Sequence, residues 1–230
     1  MNVRTFLVTP ISLAILIIAW GGCAPTHPSG SVSIDSRTAN PLRLQASFGY
    51  GGYAVEAGDT SLILSTVALE KLQSGSFQEA QIIHVQLMWM PKAGSTPVNN
   101  AATNVVIRYI VLVDKEAGVY GGGGFAWPQG TPGDSGLGLD VTGSSLSLLE
   151  STDGFRDLLS PAELRGWIGG PLAPETMTMF RNTVSQIVTD RLGKAMWIKD
   201  LDQTLPLAND FARESSTRAA LLAGSGQHPG

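Results

Sequence analysis

The side chains of this 230-residue chain best suited to chemistry are Ser135, His84, Asp114 and one thiol, Cys23. Ser135 stands in Gly133-Asp134-Ser135-Gly136, and His84 and Asp114 precede it in the sequence. A hydroxyl activated by an imidazole, itself oriented by a carboxylate, is the arrangement that performs acyl transfer. His84 is the only histidine inside the expected fold, because His27 falls in a Pro/Ser/Gly-rich stretch. In an expected hairpin of even register, His84 and Arg108 share a face, and a cation beside imidazole disfavours its charged form.

The Gly-Asp-Ser-Gly stretch resembles the nucleophile sequence of trypsin-like serine proteases, with His, Asp and Ser in that family's order. Two features depart from it. His84 sits in Ile82-Ile83-His84-Val85, not the small-residue context of that family, and the three residues lie too close in sequence for two six-stranded barrels. Gly-Asp-Ser-Gly between two strands is also favourable turn chemistry. The turn is the reading adopted, and no catalytic residue is assigned. A metal centre is not expected from one histidine and one cysteine without suitably spaced carboxylates.

Gly121 to Gly124 lacks the features of a phosphate cradle. Phe125-Ala126-Trp127-Pro128 follows it, where a helix N-terminus and a Lys-Ser/Thr pair are needed. A strand whose missing side chains admit bulky neighbours, or a bulge, fits better. The carboxylate pairs Asp114/Glu116 and Asp200/Asp202 read as solvated turns. Trp127, Trp167 and Trp197 fall near element ends, as edge packing or as the lining of an apolar groove.

Cys23 belongs to a different pattern. One positive charge, Arg4, precedes an almost wholly apolar run from Phe6 to Trp20, and Gly21-Gly22 follow. A charged start, an apolar core and small residues make an export signal; about 15 apolar residues with Pro10 inside are short for the ~20 of a spanning helix. Ala19-Trp20-Gly21-Gly22-Cys23 resembles the lipobox of bacterial lipoproteins, although Trp20 stands where a leucine-like residue is usual. The resemblance covers about the first tenth of the chain. It implies cleavage before Cys23, diacylglyceryl modification of its thiol, and a chain held at a membrane. With Ala24 rather than Asp next, it implies release to the outer membrane in enteric-type bacteria.

The rest of the chain must then be an extracytoplasmic cargo that folds on packing alone, since one cysteine permits no internal disulfide. The net charge of −4 and the absence of Lys/Arg clusters with interleaved aromatics exclude a nucleic-acid footprint. Proline, serine and glycine over 24–41 predict a flexible spacer, with the fold starting near Leu42. Leu42, Leu44, Ala46 and Phe48 alternate with polar residues, as in a half-buried strand. A short helix is expected over 67–73, stopped by Gly75. Alternation over 81–89 and 103–113, around a Pro/Gly/Asn-rich loop at 91–102, predicts a hairpin; strands over 119–127, interrupted by Gly121 to Gly124, and over 137–149 extend it. Ser160-Pro161-Ala162-Glu163 has capping-box spacing and predicts a short helix. Pro174 opens a longer one, with Met177, Phe180, Val184, Ile187 and Val188 as its apolar stripe, closed by Gly193.

The expected fold is α+β, an antiparallel β-meander of about four to six strands packed against a C-terminal helix over 174–192. The expected organisation is a signal peptide (1–22), a lipidated tether (23–41), one α+β domain (42–208) and an Ala/Ser/Gly-rich tail (209–230). The expected role is a non-enzymatic binding or assembly module of the cell envelope, anchored through Cys23, with no cofactor. A possible partner is another envelope protein. The alternatives are an envelope hydrolase, for which Ser135, His84 and Asp114 are the nameable residues, or a carrier of a small apolar ligand.

Overall fold

The computed structural model describes residues 27–56, 59–92, 94 and 102–196. Nine strands and two helices follow one another: β1 (Ser29–Ser36), β2 (Arg43–Phe48), β3 (Tyr50–Glu56), β4 (Asp59–Ser65), α1 (Leu69–Ser74), β5 (Glu79–Leu87), β6 (Val105–Val113), β7 (Glu116–Gln129), β8 (Gly136–Ser151), β9 (Ala162–Pro171) and α2 (Pro174–Leu192). The strands form one curled antiparallel sheet in the order β2-β1-β9-β8-β7-β6-β5-β4-β3. The α+β class, the antiparallel meander and the C-terminal helix agree with expectation; the sheet has nine strands rather than four to six.

Alternation along the strands builds two cores. One face of all nine strands carries Val32, Ile34, Phe48, Tyr53, Leu62, Val85, Ile107, Tyr109, Leu139 and Leu164, which fill the inside of the curl. The other face is apolar only from β3 to β7, where Ala54, Ile63, Ile82, Ile110 and Val119 meet Met177, Phe180, Val184 and Val188 of α2. Burying that stripe is what makes α2 stable here, since few helices persist on propensity alone. Helix α1 ends as expected on Gly75, whose φ of 68° suits a left-handed cap.

Two expectations need correction. Residues 29–36, expected within the spacer, form β1, an interior strand paired with both β2 and β9. Val32, Ile34 and Ser36 point into the core while Ser31, Ser33 and Asp35 point out, so two large apolar residues suffice when a strand is flanked on both sides. Among the described residues the first strand therefore starts at Ser29 rather than near Leu42. The short helix expected at Ser160 is strand β9 instead. Ala162, Leu164 and Ile168 face inward between β8 and β1, and Ser160 Oγ accepts the Leu148 N–H at 2.9 Å instead of capping a helix.

Edge strand β3 closes against the end of β9. Gly49 alone separates β2 from β3, the strands at opposite edges. Tyr53 of β3 bridges Leu172 just past β9. A Cβ on Gly170 would lie 2.8 Å from the Gly52 Cα, so the crossing needs glycine at both positions.

Candidate functional site

The register first tests the hydrolase constellation. His84 stands opposite Arg108, Arg108 opposite Gly121, and Gly121 opposite Ser147. Asp114 lies six residues beyond Arg108, about 20 Å along the strand direction, and Ser135 is exposed at the tip of the β7–β8 hairpin, whereas His84 is buried. The sheet does not bring the three together. His84 is buried, on the face of β5 that α2 covers. Burial first, then the cations of Arg181 and Arg108, push its imidazole down to about 3, so it is neutral at ordinary pH.

The Gly-Asp-Ser-Gly stretch is the tip of the β7–β8 hairpin, pinned to the far edge of the sheet. The Asp134 carboxylate accepts the Thr131 N–H at 2.9 Å. The Tyr53 hydroxyl donates to the Asp134 carbonyl and accepts the Gly133 N–H at 3.2 Å. Burial raises the pKa of the Tyr53 phenol, keeping it protonated as the donor this clip requires. Ser135 is exposed, and its carbonyl accepts the Leu172 N–H at 3.0 Å.

The glycine run is strand throughout, without the interruption expected at Gly121 to Gly124. A Cβ on Gly122 would lie 1.7 Å from the Ser145 carbonyl oxygen, and one on Gly124 2.2 Å from that of Gly143. The ladder shifts register between Phe125 and Ala126. The missing side chains let β8 approach and bend.

Where β7 outruns β6, an aromatic surface assembles. Trp89, just past β5, lies edge-on to Phe125 with ring centroids 6.2 Å apart, and Phe125 edge-on to Trp127 at 5.1 Å. The Trp89 indole donates to the Thr103 carbonyl at 3.0 Å. Buried Asn104 holds the junction: its side chain accepts the Ala126 N–H at 2.8 Å and donates to the Ala126 carbonyl at 2.9 Å. Trp127 and Trp167 both face Asp140 across β8 in one row. The Trp167 indole lies over Gly138 and Gly169 and donates to the Gln129 side chain at 3.3 Å. Met88, Trp89 and Met90 are 48, 40 and 39 % exposed.

No protein family, curated protein or solved structure matches this chain.

The tryptophans among the described residues, Trp89, Trp127 and Trp167, thus gather at one end of the sheet; Trp197 and Cys23 lie outside those residues. The chain enters at the same end, because Ser29 pairs with Gly169, which pairs with Gly138, which pairs with Gln129. Among the described residues no group of three or more His, Cys, Asp or Glu could hold a metal ion. No helix of the described residues is long and apolar enough to cross a membrane. Sequence reasoning singled out Trp127 and Trp167 but missed Trp89, Asn104 and Tyr53. The signal for Trp89 was Met88-Trp89-Met90-Pro91, a bulky apolar triplet running straight into a loop.

Proposed function

We propose that this chain is a bacterial envelope lipoprotein, held at the outer membrane through acylated Cys23, and that it acts as a non-enzymatic binding or assembly module. The observation that carries the reading is a coincidence of place. Cys23 stands six residues before Ser29, the first residue of β1, and β1 starts at the end of the sheet where Met88, Trp89 and Met90 are exposed beside Trp127 and Trp167. Exposed apolar side chains gathered in one place mark interaction surfaces, where scattered ones do not. A tether that delivers this surface to a membrane makes localisation the mechanism.

The interior of the curl is occupied by large side chains, Tyr53, Tyr109, Tyr120, Leu62 and Ile107 among them, which favours a surface for contact over an interior for cargo. The test is Cys23→Ser in the full chain. The wild type is expected in the membrane fraction with an acyl mass on its Cys23 peptide, and the variant is expected to lose both processing and membrane association. A variant that matures and fractionates like the wild type would sink the reading.

A further inference from the structure

We infer that the tryptophan end of the sheet lies on the bilayer that holds Cys23, with Met88, Trp89, Met90, Trp127 and Trp167 at the depth of the lipid headgroups. This rests on the lipoprotein reading and names what the exposed surface touches.

The leash between Cys23 and the sheet is short. Strand β1 begins at Ser29, so six residue steps separate the acylation site from an interior strand of a nine-stranded sheet. Fully extended, they span at most about 22 Å. The spacer read from composition, ending at residue 41, would have left the domain free to tumble. Ser29 sits in the row Ser29–Gly169–Gly138–Gln129, and Trp167, Asp140 and Trp127 form a row two residues further in. The end of the domain on the short leash is therefore the end that carries the tryptophans.

The chemistry of that end fits an interface. Indole rings with an apolar body and one N–H donor concentrate where hydrocarbon meets water. Met88 and Met90 add flexible apolar side chains, exposed by 48 and 39 %. Exposed Asp140, between the two tryptophans of its row, keeps the contact at headgroup level, because a carboxylate does not enter hydrocarbon cheaply. The net charge of −4 gives no attraction to anionic lipid, so contact must come from apolar burial combined with the anchor.

The experiment uses full-length protein with Trp197→Phe, recovered from membranes and reconstituted into phosphatidylethanolamine–phosphatidylglycerol vesicles. One set of vesicles carries bromine near the headgroup end of the acyl chain, the other near its methyl end. The mass of the Cys23 peptide is measured on the same sample. We expect an acyl mass, and emission roughly halved by the shallow bromine and affected less by the deep one. Met88→Glu with Met90→Glu, both exposed positions, should restore most of the emission with an unchanged circular dichroism spectrum. An acylated Cys23 with unquenched tryptophans would overturn the bilayer contact while leaving the tether intact. So would a protein crosslinked to this end in place of quenching. A Cys23 peptide without acyl mass would overturn the tether and the contact together.

Discussion

His84 on β5 stands directly opposite Arg108 on β6, and α2 closes over the same face, with Arg181 as the second cation acting on the imidazole. The site accepts a neutral ring and resists a charged one. Its folded pKa of about 3 lies below the free value of 6.5, so between these two pH values the unfolded chain binds a proton that the folded chain refuses. The resulting stability is fully present above about pH 6.5 and is lost as pH falls. One group contributes ~1.4 kcal/mol per pH unit in that window, or about 2–3 kcal/mol between pH 6.5 and about 4.5. Urea unfolding across this range should show that slope in the wild type and a flatter one in His84→Gln. Parallel slopes would mean the imidazole does not control acid stability.

The Tyr53 hydroxyl joins β3 to the β7–β8 hairpin tip through two hydrogen bonds. Tyr53→Phe keeps the ring and removes both, which should cost about 1–3 kcal/mol. Urea midpoints measure it. An unchanged midpoint would mean that the ring, not the hydroxyl, holds the seam.

Gly122 and Gly143 offer a contrast within one pair of strands. A methyl group on Gly122 meets the Ser145 backbone at 1.7 Å, whereas one on Gly143 meets only the Glu163 carboxylate at 3.9 Å. Gly122→Ala should destabilise by at least about 2 kcal/mol, and Gly143→Ala should stay within about 0.5 kcal/mol. Thermal unfolding of the two variants side by side checks the ranking.

Ile34 tests where the fold begins. It is fully buried in β1, so Ile34→Ala should cost about 2–5 kcal/mol. Were residues 29–36 a spacer, the substitution would leave the unfolding midpoint where it was.

Much of the fold was legible because its signals are local. Alternation gave β2, β5, β6 and β8, and Pro174 with Gly193 bounded α2 to the residue. The failures share one cause. β1 and β9 pair with each other across most of the chain, and neither carries enough apolar residues to stand out alone; what makes them strands is having neighbours on both edges, which no short window contains. Ser160-Pro161-Ala162-Glu163 had the letters of a cap, but tertiary pairing claimed Ala162 and Glu163 for the sheet. The opposition of His84 and Arg108 was readable, since hairpin register follows from alternation. The aromatic end was only half readable. Trp127 and Trp167 come from distant strands, and their shared row exists only once β8 lies between them.

The pairing of β1 with β9 also sets an order of assembly. As the chain emerges from its N-terminus, β1 can make a ribbon with β2, but Val32 has no partner on its other side until Gly166 arrives. Strands β3 to β8 can zip together in sequence, each onto its predecessor, while the first two wait. A nascent chain stopped short of Ala162 would hold two unjoined pieces of sheet with open edges, and only the last strand makes them one. Late closure of this kind slows folding, and under the export proposed for this chain, slowness at the leading end would keep the thread loose while it crosses the membrane.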